Sequence, residues 1–239
     1  MNEIIKNGGS LFLKLLVAGI MSFFIVISFS VLATAVFTEN IGYKAYGAVD
    51  GGEARELYTH YYSDGEDTLK AEYEEQGYTV TESSIRSEMS GAGNNLFLTV
   101  TQIFCLLITL SFVYPKLWSI GTADSNLVRF KHKSEDKLKG LKIGAVAVIP
   151  QYIVLLCFIA AKAGLYPKLP AVLLKFINPS FWSLIQLIIG KAASVNELSV
   201  ISLVLLCLLP LIIPAVACGS YLLGYKNISI GEKIVYKKK

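Results

Sequence analysis

Four long runs of this chain contain no Asp, Glu, Lys, Arg or His: 15–38, 89–115, 143–161 and 198–225. A helix needs about 20 mostly apolar residues to cross the hydrocarbon core of a bilayer, so the runs predict four transmembrane helices. A further apolar stretch, 176–190, is uncharged for only 15 residues and falls short. The composition agrees: 54% of residues are hydrophobic, 17% are charged, and the mean hydropathy is +0.54. Ordinary soluble domains are less apolar and more charged.

The charges outside these runs are sorted by sign. The connector 116–142 holds seven cations (Lys116, Arg129, Lys131, Lys133, Lys137, Lys139, Lys142) against three acids (Asp124, Glu135, Asp136). The segment 38–94 holds twelve acids and four bases, a net charge of −8. Lys and Arg in short loops are held on the cytoplasmic side, so the connector belongs inside and the acidic segment outside. With both chain ends inside, the inner segments carry fourteen Lys/Arg in about 55 residues and the outer ones eight in about 90. Charge polarised in this way suits a membrane protein and excludes a nucleic-acid binder, whose cations would line one exposed face. Lys outnumbers Arg 19 to 3, a weak pointer to a bacterial source.

These readings define an all-α integral membrane protein of the cell membrane, in four parts. Residues 1–37 are a cytoplasmic start and the first helix, read as an uncleaved anchor. Ala33-Thr34-Ala35 resembles a signal-peptide cleavage site, but the apolar core exceeds the roughly 7–15 residues of a signal h-region. Residues 38–94 are a small α+β extracytoplasmic insertion. Residues 95–225 hold helices two to four, with the second ending before Pro115. Between helices three and four, 164–197 predicts interfacial or re-entrant helices on the outer face, with Trp182 as an anchor. Residues 226–239 form a basic cytoplasmic tail.

Within the insertion, 55–62 (RELYTHYY) reads as a strand. Ser63 and Glu66 have capping-box spacing, a helix follows over about 66–76, and Gly77 is placed to end it. Residues 78–86 alternate as a second strand. Seven tyrosines exceed what so small a core buries, which makes Tyr58, Tyr61, Tyr62, Tyr73 and Tyr78 candidate partner contacts. The acids at 64–75 lack the calcium-loop spacing and read as a solvated face.

In the second run, Thr99, Thr101, Gln102, Thr109 and Ser111 suit adhesion between helices better than a solute path. Pro150-Gln151 marks a kink, and Pro210 with Pro214 should bend the last helix. Ala215 with Gly219, and Ser220 with Gly224, are candidate helix-packing pairs. Arg129, Lys131, Lys133, Lys237, Lys238 and Lys239 are candidate contacts to anionic lipid. Trp118 sits where an inner aromatic belt would place it, and His132 reads as a polar loop residue.

Cys105, Cys157, Cys207 and Cys218 all fall in the apolar runs, where thiols act as small packing groups. No zinc spacing, phosphate loop, nucleophile elbow or dinucleotide fingerprint occurs, so no cofactor or metal is expected. The expectation is therefore not an enzyme. It is a non-catalytic interaction, accessory or sensor subunit whose partners are the bilayer and other membrane subunits. The alternative is a transport component for a small neutral solute, using Gln102 and Gln151. A membrane enzyme acting through the outer carboxylates ranks third.

Overall fold

The computed structural model describes residues 2–49, 53, 55–61, 66–132, 134–165, 167, 169–190 and 192–229. Side chains are not described at 40, 41, 43, 44, 58–61, 66, 68, 69 and 81–87. Four helices are long and apolar enough to cross a membrane: α1 (Asn2–Phe37), α3 (Gly91–Arg129), α4 (Lys139–Lys162) and the helical run Val200–Tyr225. The last run is α7 (Val200–Leu208) and α8 (Ile212–Tyr225), joined by a tight 3-10 turn at Leu209–Leu211 where Pro210 removes a backbone donor. The chain divides into two compact units, Met1–Ile27 with Leu98–Lys239, and Ser28–Phe97.

The smaller unit is built around a strand that the sequence reading missed. Strand β1 (Thr38–Val49) lies between β2 (Arg55–Tyr61) and β3 (Tyr78–Met89), antiparallel to both. Helix α2 (Glu66–Glu75) connects β2 to β3 and ends at Gly77, whose φ of +86° is left-handed. The insertion is thus a three-stranded sheet with a helix rather than a strand–helix–strand unit. Glycines at 42 and 47 hide β1, because Gly is depleted in strands. Gly47 is there for space: a Cβ would sit 2.5 Å from the Leu57 side chain and 2.9 Å from the Thr79 carbonyl. Phe37 runs directly into β1 and Ser90 directly into α3, and the Ser90 amide donates to the Phe37 carbonyl at 3.0 Å. The ends of α1 and α3 are therefore paired as the strands are.

In the larger unit, one helix boundary corrects the reading above. Helix α1 starts at Asn2, ahead of the uncharged run 15–38, and passes through Gly8, where a Cβ would lie 2.5 Å from Val146 of α4. Helix α3 continues through Pro115 to Arg129 instead of stopping before it. Proline forfeits one helical hydrogen bond. Here, Val113 and Leu117 on either side of it are fully buried, and that packing carries the helix across. The connector is accordingly short, and Lys139 begins α4. After α3, the Lys131 and His132 amides close back on Val128 and Leu127, with Lys131 at φ 60°.

The core joins α1, α3, α4 and α8 to the segment after α4, with Leu11, Leu117, Ile143, Leu174, Phe181 and Tyr221 among its members. Large apolar side chains also cover the outside of the long helices, Leu13, Phe24, Val31 and Ile201 among them. A soluble monomer rarely exposes apolar surface on this scale.

Candidate functional site

The strongest electrostatic feature lies where the four long helices end together. Lys139, 3% exposed at the start of α4, donates to Asp124 Oδ2 of α3 at 2.7 Å and to Glu3 Oε1 of α1 at 2.5 Å. The Tyr221 hydroxyl of α8 donates to the same Asp124 oxygen at 3.0 Å. Each long helix thus contributes one member. Asp124 is 4% exposed, whereas the Glu3 side chain is 55% exposed, so the buried pair is Lys139–Asp124. Charges leave water at such depth only when paired and hydrogen-bonded. The sequence reading put both residues in a loop, because it ended the second helix at Pro115.

Glycines bring the backbones close around this cluster. A Cβ at Gly121 or Gly140 would overlap Tyr221, and one at Gly224 would overlap the Trp118 carbonyl. Gly144 sits against Pro214, whose Cα would be 2.6 Å from an added Cβ. Gly140 and Gly144 on α4 are therefore a close-packing pair that the sequence reading passed over. Of the candidate packing residues, Ser220 and Gly224 are buried, while Ala215 and Gly219 are exposed, with nothing within 4 Å of a Cβ at Gly219. Trp118 donates to the Ile228 carbonyl at 2.9 Å and Thr122 to the Gly224 carbonyl at 3.1 Å, pinning the end of α8 to α3. Arg129 and Lys131 are exposed beyond the cluster. Lys133 and Lys237, Lys238 and Lys239 lie outside the described residues.

The second feature is a hairpin between α4 and α7. Its base is clasped where Pro170 and Ser194 bridge, with the Ala171 amide on the Ala193 carbonyl (3.1 Å) and the Val195 amide on the Leu169 carbonyl (3.0 Å). One arm is α5 (Leu173–Ile177) and the other α6 (Trp182–Ile189). The Asn178-Pro179-Ser180 tip is inserted among the long helices, with Pro179 against Gly19 of α1. Gln102 of α3 holds this tip at both ends of its carboxamide. Its Nε2 donates to the Ser180 carbonyl at 3.0 Å, and its Oε1 accepts from the Leu184 amide in the first turn of α6 at 3.2 Å. That carboxamide supplies a cap which α6 itself lacks. Trp182 packs with Phe23 and Phe176 at ring distances of 5.8 and 5.4 Å, under the Lys175 ammonium.

Beside the tip lies a cavity of about 330 Å³, walled by α1, the hairpin, Gln151 and Ile213. Gln151 and Asn178 are among its lining residues, and their carboxamide oxygens are buried without a hydrogen-bond partner. The lining includes no acid, base or thiol. Among the described residues no group of three His, Cys, Asp or Glu is placed to hold a metal ion.

No protein-family model, curated protein or solved structure matches the chain. In the sheet unit, Tyr73 and Tyr78 pack edge to face at 6.0 Å, and the Arg55 guanidinium lies over the Tyr78 ring at 5.2 Å and bonds its hydroxyl. The Tyr73 hydroxyl donates to the Leu57 carbonyl at 3.4 Å. These two tyrosines are half-buried within their own unit. Tyr58 and Tyr61 lie on β2, their side chains not described, and Tyr62 is outside the described residues.

Proposed function

We propose that the protein is a non-catalytic interaction, accessory or sensor subunit of a bacterial cell membrane. It crosses the bilayer four times with both ends in the cytosol and displays the acidic, tyrosine-bearing segment 38–94 outside. The observation that carries this reading is the use to which the buried charges are put. Lys139 and Asp124 neutralise each other across four helix ends, and proton-coupled or voltage-driven work needs ionisable groups at depth that are free to change partner. The apolar exteriors of the long helices support the bilayer as one partner. The exposed Arg129 and Lys131, on the same end as the cluster, support anionic headgroups at the inner face. Other membrane subunits are the proposed protein partners, with Tyr58, Tyr61, Tyr62, Tyr73 and Tyr78 as the tyrosine contacts on the outer unit. Neither nucleic acid nor a cofactor enters the proposal.

The test is purification from native membranes in mild detergent, with co-purifying chains identified by mass spectrometry. A stoichiometric partner lost on replacing residues 53–62 would support the reading, and a chain that purifies alone would defeat it. Transport of a small neutral solute is favoured by one observation, the unpartnered amide oxygens of Gln151 and Asn178. Gln102 no longer supports it, because both ends of that carboxamide are bound to the hairpin. Solute flux into liposomes holding this protein alone would establish the alternative.

A further inference from the structure

The cavity beside the hairpin tip is elongated, and near one end of it stands a lysine whose charge no acid answers. On α1 its lining runs from Phe12 to Phe24, about 18 Å of helix. Leu16, Ile20 and Phe24 form a single exposed stripe that also lines it, so the cavity is a groove open sideways onto the apolar exterior of the helices. The tip fixes the direction of this groove. Pro179 lies against Gly19, while Phe176 and Trp182, on the two arms, pack on Phe23 one turn further along α1, at 5.7 and 5.8 Å. The base of the hairpin therefore lies towards the Phe24 end. The Lys175 ammonium is 5.3 Å from the centre of the Trp182 ring and donates to Gln186 Oε1, one turn nearer the base than Trp182. One indole thus links the ammonium to the Phe23 and Phe176 rings that wall this end of the groove. Among the described residues no acid pairs with Lys175, whose partners are that amide oxygen and that ring, both neutral. A part-buried cation so placed is costly until an anion meets it.

We propose that the groove holds one acyl chain of an anionic phospholipid whose phosphate sits on Lys175. The proposal rests on the reading of the long helices as membrane spans, and in the topology above it places the lipid in the outer leaflet. Each half of the ligand answers one observation. About 330 Å³ spread over that length of α1 is a narrow space that admits a single chain. An ammonium has three donors and Gln186 takes one, which leaves two for phosphate oxygens. Bonds of this charge-assisted kind are about twice as strong as neutral ones. A zwitterionic head carries its own cation and gains less, and an uncharged amphiphile would leave the lysine unanswered.

The test uses the full chain in phosphatidylcholine nanodiscs with two photoreactive probes at equal mole fraction, phosphatidylglycerol and phosphatidylcholine, each carrying a diazirine in one acyl chain. The anionic probe should label the peptides covering 12–24 or 176–181 about fivefold more than the zwitterionic one, the effect of one lysine on an anionic headgroup. Lys175→Gln should erase that preference while phosphatidylcholine labelling stays unchanged and reports that the groove is intact. Lys175→Arg should keep the preference, and Lys175→Met serves should Lys175→Gln fail to fold. Ile20→Trp, on the exposed side of α1, fills the groove and should cut labelling of 176–181 by both probes. Equal labelling by the two probes, a preference that survives loss of the Lys175 charge, or labelling confined to other helices would overturn the proposal. The last of these would mean that another chain or a second copy covers the groove. No labelling even at the exposed Leu156 of α4 and Ile201 of α7 would defeat the reading of the helices as membrane spans, and the proposal with it.

Discussion

Buried polarity is handled in opposite ways at two places in the larger unit. Where the four long helices end, a lysine and an aspartate are out of water and fully matched, with Tyr221 and Glu3 completing their shell. At and beside the hairpin tip the polar groups are uncharged, and the Asn178 and Gln151 side-chain oxygens are buried without a partner. The difference follows from cost. An unpaired buried charge is several times more expensive than an unpaired neutral group, so the groups left open are uncharged, the hydroxyls of Ser22, Thr101 and Ser183 as well as the two amides. The first place is matched by its own residues, and the second is left unmatched.

The comparison breaks most visibly at Lys139. Lys139→Met strands the Asp124 carboxylate and should cost about 3–5 kcal/mol, read as a fall in the thermal or denaturant midpoint in detergent. The double variant Lys139→Met with Asp124→Leu should recover most of that loss, because replacing both partners by apolar groups is often neutral. If the double variant is as unstable as the single one, desolvation is not what holds the cluster together. Glu3→Gln removes only a half-exposed partner, and its effect should stay within about 1 kcal/mol.

Glycine substitutions sharpen the same contrast. Gly224→Leu places a side chain into the Trp118 carbonyl and should cost about 3 kcal/mol, the upper end of overpacking. Gly219→Leu, five residues away and facing open space, should change stability by no more than about 0.5 kcal/mol. An equal loss for the two would mean that another copy or another chain covers the Gly219 face.

These sites were unequally legible. The four long helices follow from runs without charge, and the turn at Gly77 from its residue type. The cluster was not legible, because helices usually end before a proline and α3 does not. Once Pro115 is taken as a stop, Asp124 and Lys139 fall into a loop and lose their pairing. Strand β1 was hidden by its glycines, of which Gly47 answers to the room that Leu57 and Thr79 leave rather than to strand propensity. The hairpin was half legible: Asn178-Pro179 and the short apolar arms mark a break, but nothing local says that Gln102, 78 residues away, would hold its tip. Of the small residues on α8, spacing alone did not separate the buried pair Ser220 and Gly224 from the exposed Ala215 and Gly219.

Gln102→Leu should cost about 1–3 kcal/mol, because it leaves the Ser180 carbonyl and the Leu184 amide without their partner in a buried setting. The loss should be local. Amide exchange ought to quicken across 178–186 while the Lys139 cluster keeps its protection, and uniform quickening would show that hairpin and cluster are one cooperative unit.

The smallest effect has the opposite sign. Gln151→Leu removes an oxygen that is buried without a partner and puts a methyl group in its place. In the empty protein this should be neutral or stabilising by up to about 1 kcal/mol, since the desolvation penalty disappears with the atom. A loss of 1 kcal/mol or more would mean that the Gln151 oxygen is already satisfied in the membrane, and the hairpin end would then be as closed as the cluster. A gain would leave the contrast standing, with matched charge at one end of the helices and unmatched amide oxygens beside the tip.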